Sequence, residues 1–147
     1  MFSPLITFLA FFATAASPVQ WNVSAVAAVD GTVVVHCDAR LEPGWHIYAT
    51  QLSNDMGPLP TAFRLAEGST DRLLRVDEPT PVEEYDPNFG MVVRYHDGTP
   101  RFTLHTTAKA TAPLSGEVEY MLCNDKTCLP PTVYTFTVSA AAEPTDE

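Results

Sequence analysis

Basic residues and long apolar runs are both scarce in this 147-residue chain. Lys and Arg together number 8 against 18 Asp and Glu, so the formal net charge is −10. A strongly acidic chain is repelled by phosphate backbones and by anionic lipid, which argues against nucleic acid or a membrane surface as partner. No apolar stretch reaches the roughly 20 residues that a spanning helix needs, so we expect no membrane span in the mature protein.

Motifs of the common hydrolases, transferases and metalloenzymes are also missing. The sequence contains no Gly-x-Ser-x-Gly and no phosphate-binding loop, and its 4 His residues lie on separate predicted strands, away from finger spacing. We therefore predict neither a cofactor nor a metal ion.

The first 17 residues have the layout of a secretory signal. An apolar run from Leu5 to Ala13 is followed by small residues up to Ser17, as at a cleavage site, although no Lys or Arg precedes the run. The alternatives are an uncleaved membrane anchor and a buried helix. We predict that residues 1–17 are a signal peptide and that the protein is periplasmic or secreted.

The remaining sequence is large enough for one domain with a single core. We place that domain at residues 18–139. Residues 140–147 carry acids and a proline but no apolar periodicity, and we predict that they form a disordered acidic tail.

Apolar residues recur with a period of two, and 13 prolines are spread along the chain, which indicates an all-β protein. In the first predicted strand the odd positions from Trp21 to Val29 are apolar, and Asp30-Gly31 then supplies a dipeptide that tight hairpin turns prefer. About nine short strands with turns between them predict an immunoglobulin-like, two-sheet antiparallel β-sandwich. The later candidate strands are 32–39, 45–51, 61–65, 72–76, 91–96, 101–107, 117–123 and 132–138.

Strand parity separates the 3 cysteines. Cys37 shares a strand face with Val33 and Val35, so we expect it in the core as a small hydrophobic residue. In the strand 117–123 the even positions are apolar, which leaves Cys123 on the opposite face at the strand end. We therefore predict that Cys123 lies at the sheet surface, where a partner protein can reach it.

The polar residues 124–127 separate Cys123 from Cys128. A return strand beside the first brings the two sulfurs within reach of a disulfide. Closing so short a loop removes little entropy from the unfolded chain, roughly 2 kcal/mol, which makes only a modest structural staple. A redox switch and a structural disulfide both fit these residues, and a zinc site fits less well because two further ligands are missing.

Three segments resemble, in the same order, parts of the N-terminal periplasmic domain of the bacterial thiol:disulfide interchange protein DsbD. The most specific is Tyr120-Met-Leu-Cys-Asn-Asp-Lys-Thr-Cys-Leu-Pro-Pro131, which resembles the redox segment of that family, including the Pro-Pro after the second cysteine. Pro43-Gly-Trp-His-Ile-Tyr-Ala-Thr-Gln-Leu52 resembles its early aromatic strand. Val82-Glu-Glu-Tyr-Asp86, with Phe89-Gly90 after it, resembles the acidic-aromatic loop that caps the cysteines.

The resemblance implies an immunoglobulin-like domain that exchanges disulfides through the pair Cys123–Cys128. It implies that Cys128 attacks the partner and that Cys123 resolves the mixed disulfide. Tyr85 with Glu84 is the implied cap over the sulfurs, and Tyr48 is an implied second wall. Without such roles, Tyr48 is a half-buried strand aromatic and Glu84 is a solvated loop acid.

The resemblance also implies protein partners. Members of the family pass electrons from a transmembrane domain to thioredoxin-like periplasmic proteins, as a component of a protein-disulfide reductase. Because the chain stops at Glu147 without such a domain, we expect a membrane-embedded reductase to act in trans. We also expect Pro87-Asn88 to lengthen the cap segment. The alternative is a non-catalytic immunoglobulin-like binding module whose disulfide is purely structural.

Overall fold

The computed structural model describes residues 16–141, and the regular structure in that range consists of β-strands. The predicted all-β class is therefore confirmed. Within the same range no helix is long and apolar enough to cross a bilayer. The strands are β1 Val19–Ala27, β2 Thr32–Leu41, β3 His46–Tyr48, β4 Ala62–Leu65, β5 Leu73–Asp77, β6 Val82–Asp86, β7 Met91–His96, β8 Arg101–Lys109, β9 Leu114–Tyr120, β10 Leu122–Cys123, β11 Thr132–Val138 and β12 Ala140–Ala141.

These strands form three hydrogen-bonded sheets, ordered β12-β1-β2-β8-β5, β10-β3-β7-β6 and β11-β9-β4. The pairings within them are antiparallel, apart from the short β12, which runs parallel to β1. The main core includes Val35 and Phe102 from the five-stranded sheet and Ile47 and Val118 from the other two. This is the predicted immunoglobulin-like sandwich, with its second layer divided at Met121.

The turn between β1 and β2 contains Asp30-Gly31, as the sequence predicts. Gly31 has a φ of +82°, a conformation that favours glycine, and the Asp30 carboxylate accepts hydrogen bonds from the backbone N and Oγ1 of Thr32 at 3.1 and 2.6 Å. Val29 lies in this turn and is exposed, although parity placed it on the buried face. Further along β2, Cys37 is fully buried in the main core, which confirms the prediction for that residue.

Two segments differ from the sequence prediction. The segment Val82–Asp86, expected as a cap loop, is strand β6, an edge strand whose first four residues are exposed and therefore show no apolar alternation. Ala140 and Ala141, which we assigned to the tail, form β12 and pair with Ala25 and Val26. The rest of the predicted tail, 142–147, and residues 1–15 of the predicted signal peptide lie outside the described residues.

Candidate functional site

A second, smaller cluster of buried side chains lies on the four-stranded sheet β10-β3-β7-β6. We call it the cysteine cluster. Its buried members are Tyr48, Val93, Met121 and Cys123, and the partly buried residues packed against it are Leu52, Leu59, Phe89, Met91, Tyr95 and Cys128. Because side chains alternate along a strand, Tyr48 and Cys123 face this cluster while their neighbours Ile47 and Leu122 face the main core. The fold thus brings both cysteines and the predicted Tyr48 together.

A tight turn joins the two cysteines, which form a disulfide with Cα atoms 4.0 Å apart. The Asn124 side chain holds the turn, because its Oδ1 accepts hydrogen bonds from the backbone N of Lys126 and of Thr127, both at 2.9 Å. The backbone N of Asn124 also donates to the carbonyl of Thr127 at 2.9 Å. The three residues 125–127 are exposed, so the turn that joins the two cysteines faces solvent.

The two sulfur-bearing residues differ in their access to solvent. Cys128 is half-buried, whereas Cys123 has no exposed surface. The prediction that Cys123 lies at an accessible sheet surface is therefore wrong. Parity assigned Cys123 to the correct face, opposite to Leu122, but that face is covered by a β-hairpin from an earlier part of the chain.

The covering element is the hairpin formed by β6 and β7, which we call the cap hairpin. In its register, Glu84 pairs with the buried Val93, and Tyr85 pairs with the exposed Val92. One face of the hairpin therefore lies on the cysteine cluster and the other faces solvent. The last residue of β6, Asp86, is on the inner face and only 4% exposed.

Strand alternation corrects the roles expected for the acidic-aromatic segment. Tyr85 is 62% exposed and does not pack against the cysteine cluster. Glu84 accepts a hydrogen bond of 2.5 Å from the Tyr95 hydroxyl and lines a cavity beside the cysteine turn. The aromatic residues of the cap hairpin that pack against the cluster are Tyr95 on β7 and Phe89 at the tip, whose ring meets that of Tyr48 edge-on at 6.0 Å.

Three polar side chains meet at the edge of the cysteine cluster. The Tyr48 hydroxyl donates a hydrogen bond of 2.5 Å to Oδ2 of Asp86, which ties the cap hairpin to β3. The Nε2 atom of His46 lies 3.2 Å from the same hydroxyl and 3.7 Å from Oδ2 of Asp86. Sequence reasoning missed His46 and Asp86. The signal for His46 was its position two residues before Tyr48, which places both on one face of β3.

Burial sets the protonation of these groups. It raises the pKa of the Tyr48 hydroxyl, and the hydrogen bond to Asp86 raises it further. It lowers the pKa of His46, although the carboxylates of Asp86, Asp125 and Asp97 oppose that shift. At neutral pH Tyr48 is therefore protonated and the His46 imidazole is mostly neutral.

The tip of the cap hairpin contacts the cysteine turn directly. Nδ2 of Asn88 donates a hydrogen bond of 2.9 Å to the backbone O of Asn124, the residue after Cys123. Within the tip, Oδ1 of Asp86 accepts a hydrogen bond from the backbone N of Asn88, and Gly90 closes the turn with a φ of +65°. The Pro87-Asn88 segment thus supplies a contact to the cysteine turn.

A cavity of about 60 Å³ lies between the cap hairpin and the cysteine turn. Its lining includes His46, Asp86 and Asp125, together with both predicted cap residues, Glu84 and Tyr85. This volume is far below the roughly 300 Å³ of small-molecule sites. A larger groove, of about 510 Å³, lies on β4, β9 and β11 and carries no cysteine. Within residues 16–141 no group of three or more His, Cys, Asp and Glu is placed to hold a metal ion.

A family model described as the N-terminal part of the thiol:disulfide interchange protein DsbD matches residues 15–140. The chain belongs to this family. The matched range contains the cap hairpin and both cysteines of the turn, so the DsbD N-terminal family covers the whole candidate site. A search of the curated proteins gave no match.

Solved structures of DsbD-type domains share the fold. The reduced DsbD N-terminal domain of Neisseria meningitidis is 19% identical with a TM-score of 0.56, and the match covers 82% of this chain and 86% of that one. The N-terminal periplasmic domain of ScsB from Proteus mirabilis is 17% identical with a TM-score of 0.61 over 83% of this chain and 46% of that one. A complex of the DsbD and PilB N-terminal domains of N. meningitidis gives 15% identity and a TM-score of 0.52, and the match covers 78% of this chain and 80% of that one.

Proposed function

We propose that this domain exchanges disulfides with thioredoxin-like proteins of the periplasm through Cys123 and Cys128. The observation that carries the proposal is the unequal access to the two sulfurs of one disulfide. Cys128 is half-exposed beside a solvent-facing turn, while Cys123 is fully buried under the cap hairpin. Together with membership of a thiol:disulfide interchange family, this asymmetry favours a reactive pair over a structural staple.

The asymmetry supports the order of attack that the resemblance implies, with Cys128 reacting first. A partner thiolate reaches Sγ of Cys128 first, forms a disulfide with it and displaces the Cys123 sulfur, which takes the electron pair of the broken S–S bond. In the opposite direction the Cys128 thiolate attacks a partner disulfide, and Cys123 then attacks Cys128 to release the reduced partner. In both directions Cys123 reacts only with Cys128, so it needs no access to solvent.

The cap hairpin controls access to this pair in the proposed mechanism. Strand β7 anchors the hairpin to β3 by sheet pairing. Near the sulfurs, its tip is held by two polar contacts, Tyr48 to Asp86 and Asn88 to the Asn124 carbonyl, and by the Phe89 ring. A few hydrogen bonds, each worth about 1 kcal/mol net, can be broken by an approaching partner far more easily than a packed core can be opened. The tip of the hairpin therefore slows the reaction of the disulfide with small thiols without excluding them, and it yields further to a protein that binds it.

The partners are assigned by analogy with the family. A structure is known for the complex between the DsbD and PilB N-terminal domains of N. meningitidis, which supports a protein partner for the present domain. The ScsB domain of P. mirabilis is described as periplasmic, which supports the same location here. A membrane-embedded reductase acting in trans, together with export through the signal peptide 1–17, completes the proposed pathway.

Trapping of a mixed disulfide tests the proposal. The variant Cys123→Ala retains the accessible Cys128 but cannot resolve. With a thioredoxin-like periplasmic protein whose own resolving cysteine is replaced, and whose remaining cysteine carries a small thiol as leaving group, it is expected to give a stable covalent complex on a non-reducing gel. The matched variant Cys128→Ala retains only the buried Cys123 and is expected to give none. Equal trapping by both variants, or trapping by neither, contradicts the proposed exchange and favours a binding module with a structural disulfide.

A further inference from the structure

His46 lies directly across the sheet from Cys123. The two residues are register partners in the antiparallel pairing of β3 with β10. Their neighbours Ile47 and Leu122, also partners, point into the main core, so His46 and Cys123 share the opposite face. Residues directly opposite in such a pair have Cβ atoms about 4.5–5.5 Å apart. An imidazole is thus the cross-strand neighbour of the buried sulfur.

The hydrogen bonds around His46 define which ring nitrogen is free. The single hydroxyl proton of Tyr48 is donated to Asp86 at 2.5 Å, so it is not available to His46. The contact of 3.2 Å between Nε2 of His46 and the Tyr48 oxygen is then a hydrogen bond that Nε2–H donates. In the neutral ring this leaves the lone pair on Nδ1, which makes Nδ1 the basic atom.

Cys123 needs such a base because its thiol has no contact with solvent. The proton of a buried thiol has no water to accept it, and burial disfavours the thiolate that attacks a disulfide. Cys37 shows the size of this effect in the same molecule. Burial in the main core, together with the nearby Asp38 carboxylate, raises its pKa to about 12.

We propose that His46 accepts the proton of the Cys123 thiol when Cys123 resolves a mixed disulfide on Cys128. The S–S bond between Cys128 and the partner breaks, a bond between Cys123 and Cys128 forms, and the partner sulfur leaves as a thiolate with the electron pair. The thiol proton of Cys123 moves to Nδ1 of His46. In the reverse reaction the imidazolium returns that proton to Cys123. This role rests on the exchange reaction proposed above.

The charges around His46 are compatible with a base that is neutral at physiological pH. Its surroundings include Asp86 on β6, the Tyr48 and Tyr95 hydroxyls on β3 and β7, Glu84 bonded to Tyr95, Asp125 in the cysteine turn and Asp97 after β7. The carboxylates favour the imidazolium, but burial outweighs them and lowers the pKa of His46 below its ordinary value. The ring is therefore free to take up a proton at neutral pH.

The resolution step can be measured with oxidised glutathione, without any protein partner. The reduced protein is mixed with oxidised glutathione, and loss of the glutathionyl adduct on Cys128 is followed by acid quench and mass spectrometry between about pH 5 and pH 9. In His46→Gln the amide can still bond the Tyr48 oxygen but cannot titrate. We expect resolution at neutral pH to slow about 100-fold, at the lower end of what positioned bases contribute. The control His36→Gln, on β2 of the other layer, is expected to keep the rate of the unaltered protein.

The pH profile separates proton transfer from a structural role. With His46 present, the resolution rate is expected to level off above the pKa of the imidazole. In His46→Gln it is expected to rise about tenfold per pH unit toward the thiol pKa, because only pre-formed thiolate then reacts. Equal rates and profiles in the two proteins overturn the proposal.

The unaltered protein gives a second test that does not depend on how the variant folds. A continuous rise of about tenfold per pH unit up to pH 9 in that protein also overturns the role of His46. Failure of this role leaves trapping by Cys123→Ala intact, whereas failure of the proposed function abolishes trapping and leaves the glutathione assay readable.

Discussion

Two cysteines of this molecule are equally inaccessible, yet they lie in different surroundings. Cys37 and Cys123 both have no exposed surface. Cys37 is in the main core, enclosed by apolar side chains from both layers of the sandwich. Cys123 is in the cysteine cluster, where side chains of the cap hairpin and of the loop after β3 pack together and where Tyr48, Asp86 and His46 meet at the edge.

The comparison shows that burial alone does not decide the chemistry of a thiol. The cover over Cys37 consists of whole sheets, which separate only when the domain unfolds. The cover over Cys123 includes the tip of the cap hairpin, which a few polar contacts hold in place, and its disulfide partner Cys128 already reaches solvent. The first arrangement keeps a sulfur inert, and the second keeps one protected but available.

The largest expected effect concerns the cysteines themselves. Cys128→Ala removes the sulfur that a partner can reach, so exchange with a thioredoxin-like protein is expected to fall to background. Cys37→Ala is expected to leave the exchange rate unchanged, because Cys37 lies in the main core and not in the cysteine cluster. Stopped-flow fluorescence of the partner measures both rates. A loss of exchange in a folded Cys37→Ala protein contradicts the distinction between the two regions.

Two phenylalanine substitutions separate the stability of the domain from the protection of its disulfide against reduction. Phe102 is fully buried in the main core, so Phe102→Ala is expected to cost about 3–5 kcal/mol of unfolding free energy. Phe89 is only half-buried on the cap hairpin, so Phe89→Ala is expected to cost about 1 kcal/mol. It is nevertheless expected to speed reduction of the disulfide by dithiothreitol several-fold. Urea titration and thiol release give the two readouts, and an unchanged reduction rate in Phe89→Ala removes this ring from the protective cover.

The hydrogen bond between Tyr48 and Asp86 tests how the cap hairpin is held. Tyr48→Phe leaves the buried Asp86 carboxylate short of one donor, which is expected to cost about 1–3 kcal/mol. Amide hydrogen exchange is expected to accelerate in β6 and β7 while β2 and β8 keep their protection. The control Tyr134→Phe, on β11, is expected to change neither the free energy of unfolding nor the hydrogen exchange of β6 and β7. Uniform acceleration through all strands contradicts a locally opening hairpin.

Strand parity predicted the main core well and the cysteine cluster poorly. Alternation along β2 was enough to place Cys37, because that strand pairs on both sides and its inner face has a single environment. The same reasoning gave the face of Cys123 but not its cover, since the covering hairpin comes from a distant part of the chain.

The aromatic of the cap was misassigned for a related reason. A mostly exposed edge strand such as β6 lacks apolar alternation, so the sequence indicates a loop there and does not show that most of Tyr85 is exposed to solvent. With β6 recognised as a strand, parity selects Asp86 as the inward residue, and the tip supplies Phe89. Polar partners such as His46 and Asp86 meet only in the folded molecule.

A smaller effect is expected at the far end of the cap hairpin. Glu78 accepts hydrogen bonds from His96 and from the backbone and side chain of Thr50. Burial alone raises the pKa of this carboxyl, but these hydrogen bonds outweigh it and hold the pKa below the ordinary value of 4.5. A lowered pKa stabilises the folded state above the unfolded pKa, and that contribution is lost as the pH falls through the folded value.

Glu78→Gln is therefore expected to cost about 1 kcal/mol or less near neutral pH. The difference from the unaltered protein is expected to vanish in acid, below the folded pKa of Glu78. Thermal unfolding across the acid range measures it. A difference that grows as the pH falls contradicts the sign of this contribution.

The reduction potential of the Cys123–Cys128 pair tests the central claim most directly. It is measured by equilibrating the protein with thioredoxin and quantifying the oxidised and reduced forms after alkylation. An exchange pair is expected to equilibrate with thioredoxin, at a potential near or above about −270 mV. A potential below about −300 mV, typical of structural disulfides, contradicts the account.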